Sequence, residues 1–79
     1  MPAATVYLRH GCHLCEAFLE ELAALAPRWE LQVAEVDIDS DVSLRARYDR
    51  RVPVLHINGE DICEYFVDAE RLAAYFESR

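Results

Sequence analysis

Asn58-Gly59 stands between two strand-forming runs, Val52-Pro53-Val54-Leu55-His56-Ile57 before it and Glu60 to Phe66 after it. A two-residue turn between antiparallel strands needs positive φ at its central positions, and Asn-Gly supplies that at the lowest steric cost. The pair therefore predicts a hairpin, here the third and fourth strands. A two-residue turn also sets a register, which places Val54 opposite Cys63 and His56 opposite Asp61. Pro53 fits at the start of the third strand, where a missing N–H is tolerated.

Upstream of the hairpin the pattern alternates strand and helix. Thr5-Val6-Tyr7-Leu8 reads as a buried strand that ends at Arg9-His10-Gly11. From His13 to Ala26, Leu14, Phe18, Leu22 and Leu25 recur at helical spacing, with Glu16, Glu20 and Glu21 on the other side, until Pro27 stops the helix. Leu31 to Asp37 is a second strand with broken alternation, since Glu35 falls on the side of Leu31 and Val33, which suits an edge. Ser40 or a neighbouring Asp caps a short helix to about Tyr48, with Leu44 and Tyr48 on one face, and Asp68 caps a last helix carrying Leu72 and Phe76.

The order is βαβαββα. A right-handed βαβ unit with the hairpin added antiparallel to the first strand gives an α/β fold, a four-stranded mixed sheet with helices on both faces. Seventy-nine residues can build one core only, and no linker, repeat or low-complexity stretch divides them, so residues 1–79 are expected to form one domain.

Charge narrows the partners. Eight Arg, no Lys and fifteen acidic residues leave a net charge of −7, the wrong sign for phosphate backbones or anionic lipid, so neither nucleic acid nor membrane is expected. No apolar run approaches the ~18 residues of a spanning helix, and Met1 to Arg9 lacks the features of an export signal, which points to the cytoplasm.

The three cysteines are Cys12, Cys15 and Cys63. By loop entropy a Cys12 to Cys15 bridge stabilises by ~2 kcal/mol and a Cys12 to Cys63 bridge by ~4 kcal/mol, so the close pair is a poor staple and points to chemistry or metal binding. At the head of a helix, unpaired N–H groups and the helix dipole favour a thiolate at Cys12. Cys15, one turn on and among core residues, can reach the first sulfur as a resolving thiol. His13, His10 and Arg9 would add positive charge around the same turn. Zinc sites share the Cys-x-x-Cys spacing, but a closed site wants four ligands and the remaining candidates are Cys63, His10, His13 and His56. A dithiol oxidoreductase, a module holding zinc or an iron–sulfur cluster, and a redox-inactive interaction domain thus remain open; metal content after reducing purification separates the first two.

Arg9-His10-Gly11-Cys12-His13-Leu14-Cys15, Val36-Asp37-Ile38-Asp39, Val52-Pro53-Val54-Leu55 and Asn58-Gly59-Glu60 together resemble the thioredoxin superfamily, most closely its small bacterial glutaredoxin-like proteins. The resemblance implies a thioredoxin-like fold in which Cys12 attacks a disulfide, Cys15 resolves the mixed disulfide and Pro53 is cis. It also implies substrate contacts at Arg9, His13, Val52 and Pro53, with Val52 offering its backbone to a bound peptide or thiol and Arg9 matching a basic position that holds a glutathione carboxylate. The expected partners are a protein disulfide or small thiol and a reductant, with no cofactor, no metal, and the protein a monomer. Two departures bear on specificity. His13-Leu14 replaces the Pro-Tyr common in glutaredoxins, and Cys63-Glu64-Tyr65-Phe66 replaces the turn that holds the glutamyl end of glutathione, so weak glutathione binding is expected. Thioredoxins carry a buried acid and a Trp where this chain has Val6 and Gly11.

Other polar and aromatic residues have plainer explanations. Cys63 is expected in the core, His56 is explained by Asp61, and Trp29 is a packing anchor. Arg50 and Arg51 read as a solvated pair beside the inferred substrate strand, or as contacts for an acidic partner.

Overall fold

The computed structural model describes residues 2–77, so Met1, Ser78 and Arg79 of the expected domain lie outside the described residues. Its elements follow the expected order: β1 Ala3–Leu8, α1 His13–Leu25, β2 Gln32–Asp37, α2 Val42–Tyr48, β3 Val54–Ile57, β4 Glu60–Glu64 and α3 Ala69–Glu77. The sheet runs β2-β1-β3-β4, with β2 parallel to β1 and both β1–β3 and β3–β4 antiparallel. β1 is interior, so the turn that follows it opens at the middle of one sheet end. β2 is an edge strand, as its broken alternation suggested.

Alternation along β1 splits the core in two. Val6 and Leu8 face α1 and α3, where they join Phe18, Leu22, Leu55, Ile57 and Leu72. Tyr7 faces the other way, packing against the cluster of Ile38, Tyr48 and Val54 beneath α2, and its ring stacks on Tyr48 at 4.6 Å. Burying a side chain of the size of Phe18, Leu22 or Leu72 stabilises by roughly 1.5–3 kcal/mol, so the α1 and α3 side is the larger source of stability. Trp29 serves as an anchor, stacked on Phe76 at 5.2 Å with its Nε1–H donating to Glu77 at 3.0 Å.

The caps match side chains to unpaired N–H groups. Asp41 Oδ1 accepts from the N–H of Ser43 and Leu44 at the head of α2, while the Ser40 hydroxyl turns back to the Asp37 carbonyl. Asp68 Oδ1 accepts from the Arg71 N–H at the head of α3. α1 ends at Leu25, just before Pro27 as expected, and the chain continues into a separate 3₁₀ segment, Ala26–Trp29, which tolerates a proline near its start.

The hairpin turns at Asn58 and Gly59, with φ of 51° and 84°. Its pairs nearest the turn are those expected, Ile57 with Glu60 and His56 with Asp61. Beyond them the register departs from expectation: Cys63 lies opposite Leu55, and Val54 lies opposite Glu64. A β-bulge causes the shift. One extra residue in β4 lets the adjacent Ile62 and Cys63 both enter the α1–α3 core, which strict alternation forbids. The same shift brings Asp61 and Glu64 together under one guanidinium. Arg51 donates to Asp61 at 2.9 Å and to Glu64 at 2.9 Å, so it is not a solvated cation. Asp61 also meets His56 Nδ1 at 2.7 Å and accepts from the Tyr48 hydroxyl at 3.1 Å.

β4 ends at Glu64, two residues early, because Tyr65 takes a left-handed φ of 68°. Its N–H donates to the Pro53 carbonyl at 2.8 Å and its hydroxyl to the Arg50 carbonyl at 2.6 Å, which ties this corner to the start of β3.

Candidate active site

Gly11 adopts φ of 72° between β1 and α1, a conformation that disfavours any side chain. The chain then reverses into α1 with Cys12 as the cap: Cys12 is extended, and its Sγ accepts the Cys15 N–H at 3.1 Å. The Cys12 sulfur thus occupies the place of a capping oxygen at the positive end of the helix. Cys12 is half-buried, whereas Cys15, one turn on, is buried and packs in the larger core. All three cysteines are free thiols.

The two thiols of the pair are unequal. Burial, with the Cys12 hydrogen bond adding to it, pushes the Cys15 thiol up to about 11, while the Arg9 backbone N–H and the Arg9 charge pull the other way. Cys15 therefore holds its proton at neutral pH, and Cys12 is the thiol within reach of solvent. Chemically this arrangement offers one sulfur at the surface with a second, protonated sulfur buried behind it.

The cations expected to surround Cys12 are engaged elsewhere. Arg9 donates from Nε and Nη2 to both Asp39 carboxylate oxygens, at 3.0 and 3.2 Å, and from Nη2 to Asp49 Oδ1 at 2.7 Å. Its Nη1 donates to the Asp49 carbonyl at 3.3 Å. These bonds hold Arg9 charged and draw the Asp49 carboxyl below its usual range. Arg9 is a clamp between the β1–α1 turn and the two ends of the α2 region. His10 Nε2 lies 3.2 Å from Asp37, and His13 points to solvent with Nδ1 3.6 Å from Glu16. The carboxylates offset the positive field that Arg9, His10 and His13 were expected to create.

Val52 and Pro53 enter β3 at the same end of the sheet as the Cys12 turn, since β3 runs antiparallel beside β1. Their peptide bond is cis, Pro53 is buried and Val52 is half-buried. Tyr65 and Phe66 follow directly beside them and are exposed.

A pocket of about 150 Å³ opens on the other side of the pair, lined by Cys12, Cys15, Glu16, Leu19 and Glu35 among others. Glu35 was not expected at the site. Its signal in the sequence was the same break in alternation that marked an edge strand, but only the pairing of Glu35 with Val6 of β1 brings it to the cysteines. Larger hollows of about 550 and 520 Å³ lie between β4 and α3, and neither is lined by Cys12 or Cys15. Among the described residues no group of three or more His, Cys, Asp or Glu side chains converges so as to hold a metal ion. No helix among them is long and apolar enough to cross a membrane.

Fold and cysteine pair define the class, a thioredoxin-like domain with a Cys-x-x-Cys at the head of its first helix. Residues 4–77 match the Glutaredoxin-like domain (DUF836), and the chain belongs to that family. It is similar to a protein of Nitrosomonas europaea whose solution structure is known, at 34% identity and a TM-score of 0.87, over 95% of this chain and 91% of that one. An uncharacterized protein of Mycobacterium tuberculosis is 31% identical over 92% of this chain and 80% of its own. Thioredoxin O1 of Arabidopsis thaliana, at 21% identity, shares the fold with a TM-score of 0.62, over 99% of this chain and 77% of that one.

Proposed function

We propose that this chain is a dithiol–disulfide oxidoreductase. Cys12 attacks a substrate disulfide, forming a Cys12–substrate mixed disulfide and releasing one substrate thiolate. Cys15 then attacks the Cys12 sulfur, forms the Cys12–Cys15 disulfide and releases the second thiolate, and an external dithiol or thiol reductant returns the pair to its starting state. The observation that carries this reading is the inequality of the two thiols: Cys12 at the surface accepting a helix N–H at 3.1 Å, Cys15 buried behind it.

The surroundings favour a protein segment over glutathione. No hydrogen bond among the described residues engages the Val52 backbone, which is free to pair with an extended chain, and exposed Tyr65 and Phe66 flank it. Arg9 is committed to Asp39 and Asp49, and Arg51 to Asp61 and Glu64, so the two guanidiniums that could meet the carboxylates of glutathione already hold carboxylates of this chain. On this reading the protein works as a monomer in a reducing compartment such as the cytoplasm, where so short a bridge is transient. His13, exposed beside Cys12, is a substrate contact rather than an activator.

The test is turnover of a protein disulfide with dithiothreitol or thioredoxin reductase in one series and glutathione with its reductase in the other. Turnover in the first and little in the second is expected. Cys15→Ser should accumulate mixed disulfides at Cys12, and metal-loaded protein without exchange activity after reducing purification would overturn the reading.

A further inference from the structure

The Cys15 proton has to leave before Cys15 can attack. Burial raises the Cys15 thiol to about 11, so ionisation into solvent is unfavourable near neutral pH. The pocket beside the pair offers another route. It is lined by both cysteines and by two carboxylates, Glu16 and Glu35, and its volume of about 150 Å³ has room for water between them.

The two carboxylates differ. Glu16 is in the first turn of α1, largely exposed and paired with His13. Glu35 is the register partner of Val6, so its side chain leaves the sheet on the α1 side; like Glu16 it is exposed, here at the edge of the sheet, and what sets it apart is that it has no ion-pair partner among the described residues. No hydrogen bond or ion pair among the described residues engages it. Its neighbours along the chain are used otherwise: Asp37 meets His10, and Asp39 meets Arg9. We infer that Glu35 is the proton acceptor for Cys15, reached through water in this pocket.

The inference rests on the dithiol reading above and adds the fate of the proton. With the mixed disulfide formed at Cys12, the Cys15 S–H proton passes through water to the Glu35 carboxylate. The Cys15 electron pair forms the bond to Cys12 sulfur, and the bond from Cys12 to the substrate sulfur breaks. The substrate sulfur leaves as a thiolate and takes the proton back from Glu35 or from solvent. Cys12 and Cys15 are oxidised and the substrate disulfide is reduced. The charged and titratable groups that face Glu35 are Arg9 and His10 from the β1–α1 turn and Glu16 from α1, with Glu20 further along the α1 wall.

The reaction with dithiobis(nitrobenzoate) separates the steps, because each attack releases one coloured thionitrobenzoate. A Cys63→Ala background leaves two reporting thiols. Attack by Cys12 produces the first phase and resolution by Cys15 the second. Glu35→Gln keeps the shape and removes the base; it should leave the first phase unchanged and slow the second at least about tenfold at neutral pH, since general bases contribute 10² or more. In that variant the second phase should rise about tenfold per pH unit, as deprotonation falls to hydroxide, with a shallower profile in the parent. Glu35→Asp should recover part of the rate and the shallow profile, and Glu16→Gln should match the parent. Coincident second phases in the parent and Glu35→Gln at every pH would overturn the inference, as would equal slowing of both phases or equal slowing by Glu16→Gln. A parent protein with no second phase overturns the dithiol reading itself, and this inference with it.

Discussion

Two sulfurs in this molecule lie at the head of a helix and accept a backbone N–H: Cys12 before α1, from Cys15 at 3.1 Å, and Cys63 before α3, from Asp68 at 3.4 Å. Their surroundings are opposite. Cys12 follows a glycine turn, is open on one side and has a second thiol one helical turn away. Cys63 comes from inside β4, is held in the core by the bulge, and has no thiol beside it in sequence. Burial pushes the Cys63 thiol up, against the pull of the Asp68 N–H. A helix terminus therefore does not make a sulfur reactive by itself; solvent access and a partner within reach decide what the same hydrogen bond can be used for.

The largest expected effect breaks the comparison if it fails. Cys12→Ser should lower the rate of protein disulfide reduction by about 10³-fold or more, because no other nucleophile remains, whereas Cys63→Ser should change it less than about twofold. Single-turnover reduction by each variant measures both. Next in size is access. Iodoacetamide should label Cys63 at least about 10²-fold more slowly than Cys12 in the native protein, since Cys63 reacts only after local opening. Peptide mapping over time reads this, and after mild oxidation it should show a Cys12–Cys15 bridge with Cys63 free; a bridge to Cys63 would reverse the roles assigned here.

A pH series sharpens the contrast within the pair. In a Cys12→Ser, Cys63→Ala background only Cys15 can be labelled. Burial, the largest cause of the raised Cys15 value, persists in this background while the contribution of the Cys12 thiol is lost, so the Cys15 labelling rate should climb about tenfold per pH unit from neutral and level off above the ordinary thiol value. A plateau near the ordinary thiol value would mean that burial does not hold the proton. The smallest effect is on stability. Cys63→Ala should cost about 1 kcal/mol in denaturant unfolding, through lost contacts in the core, with disulfide exchange unchanged.

The hairpin shows how far local signals reach. Asn58-Gly59 dictates the turn and the two pairs beside it, and both are present. The third and fourth pairs depend on whether Ile62 and Cys63 can share one core, a question about α1 and α3 rather than about the turn. Arg9 is a parallel case. Its place before Cys12 suggested a ligand contact, but the carboxylates that take it are 30 and 40 residues away, at Asp39 and Asp49.

What the sequence by itself determined are features set by residues near one another in the chain: the βαβαββα order, an Asp cap beside Ser40 and the cap at Asp68, the turn at Asn58-Gly59, and a cysteine pair one helical turn apart at the head of α1. Backbone propensity, capping and turn chemistry act over a few residues, so their outcome is written locally. Only the tertiary structure decided the bulge in β4, the commitment of Arg9 and Arg51 to carboxylates, and the arrival of Glu35 at the pocket that both cysteines line. Each depends on which strands become neighbours and on how two layers of helices share one sheet, and those are settled by the packing of the whole core.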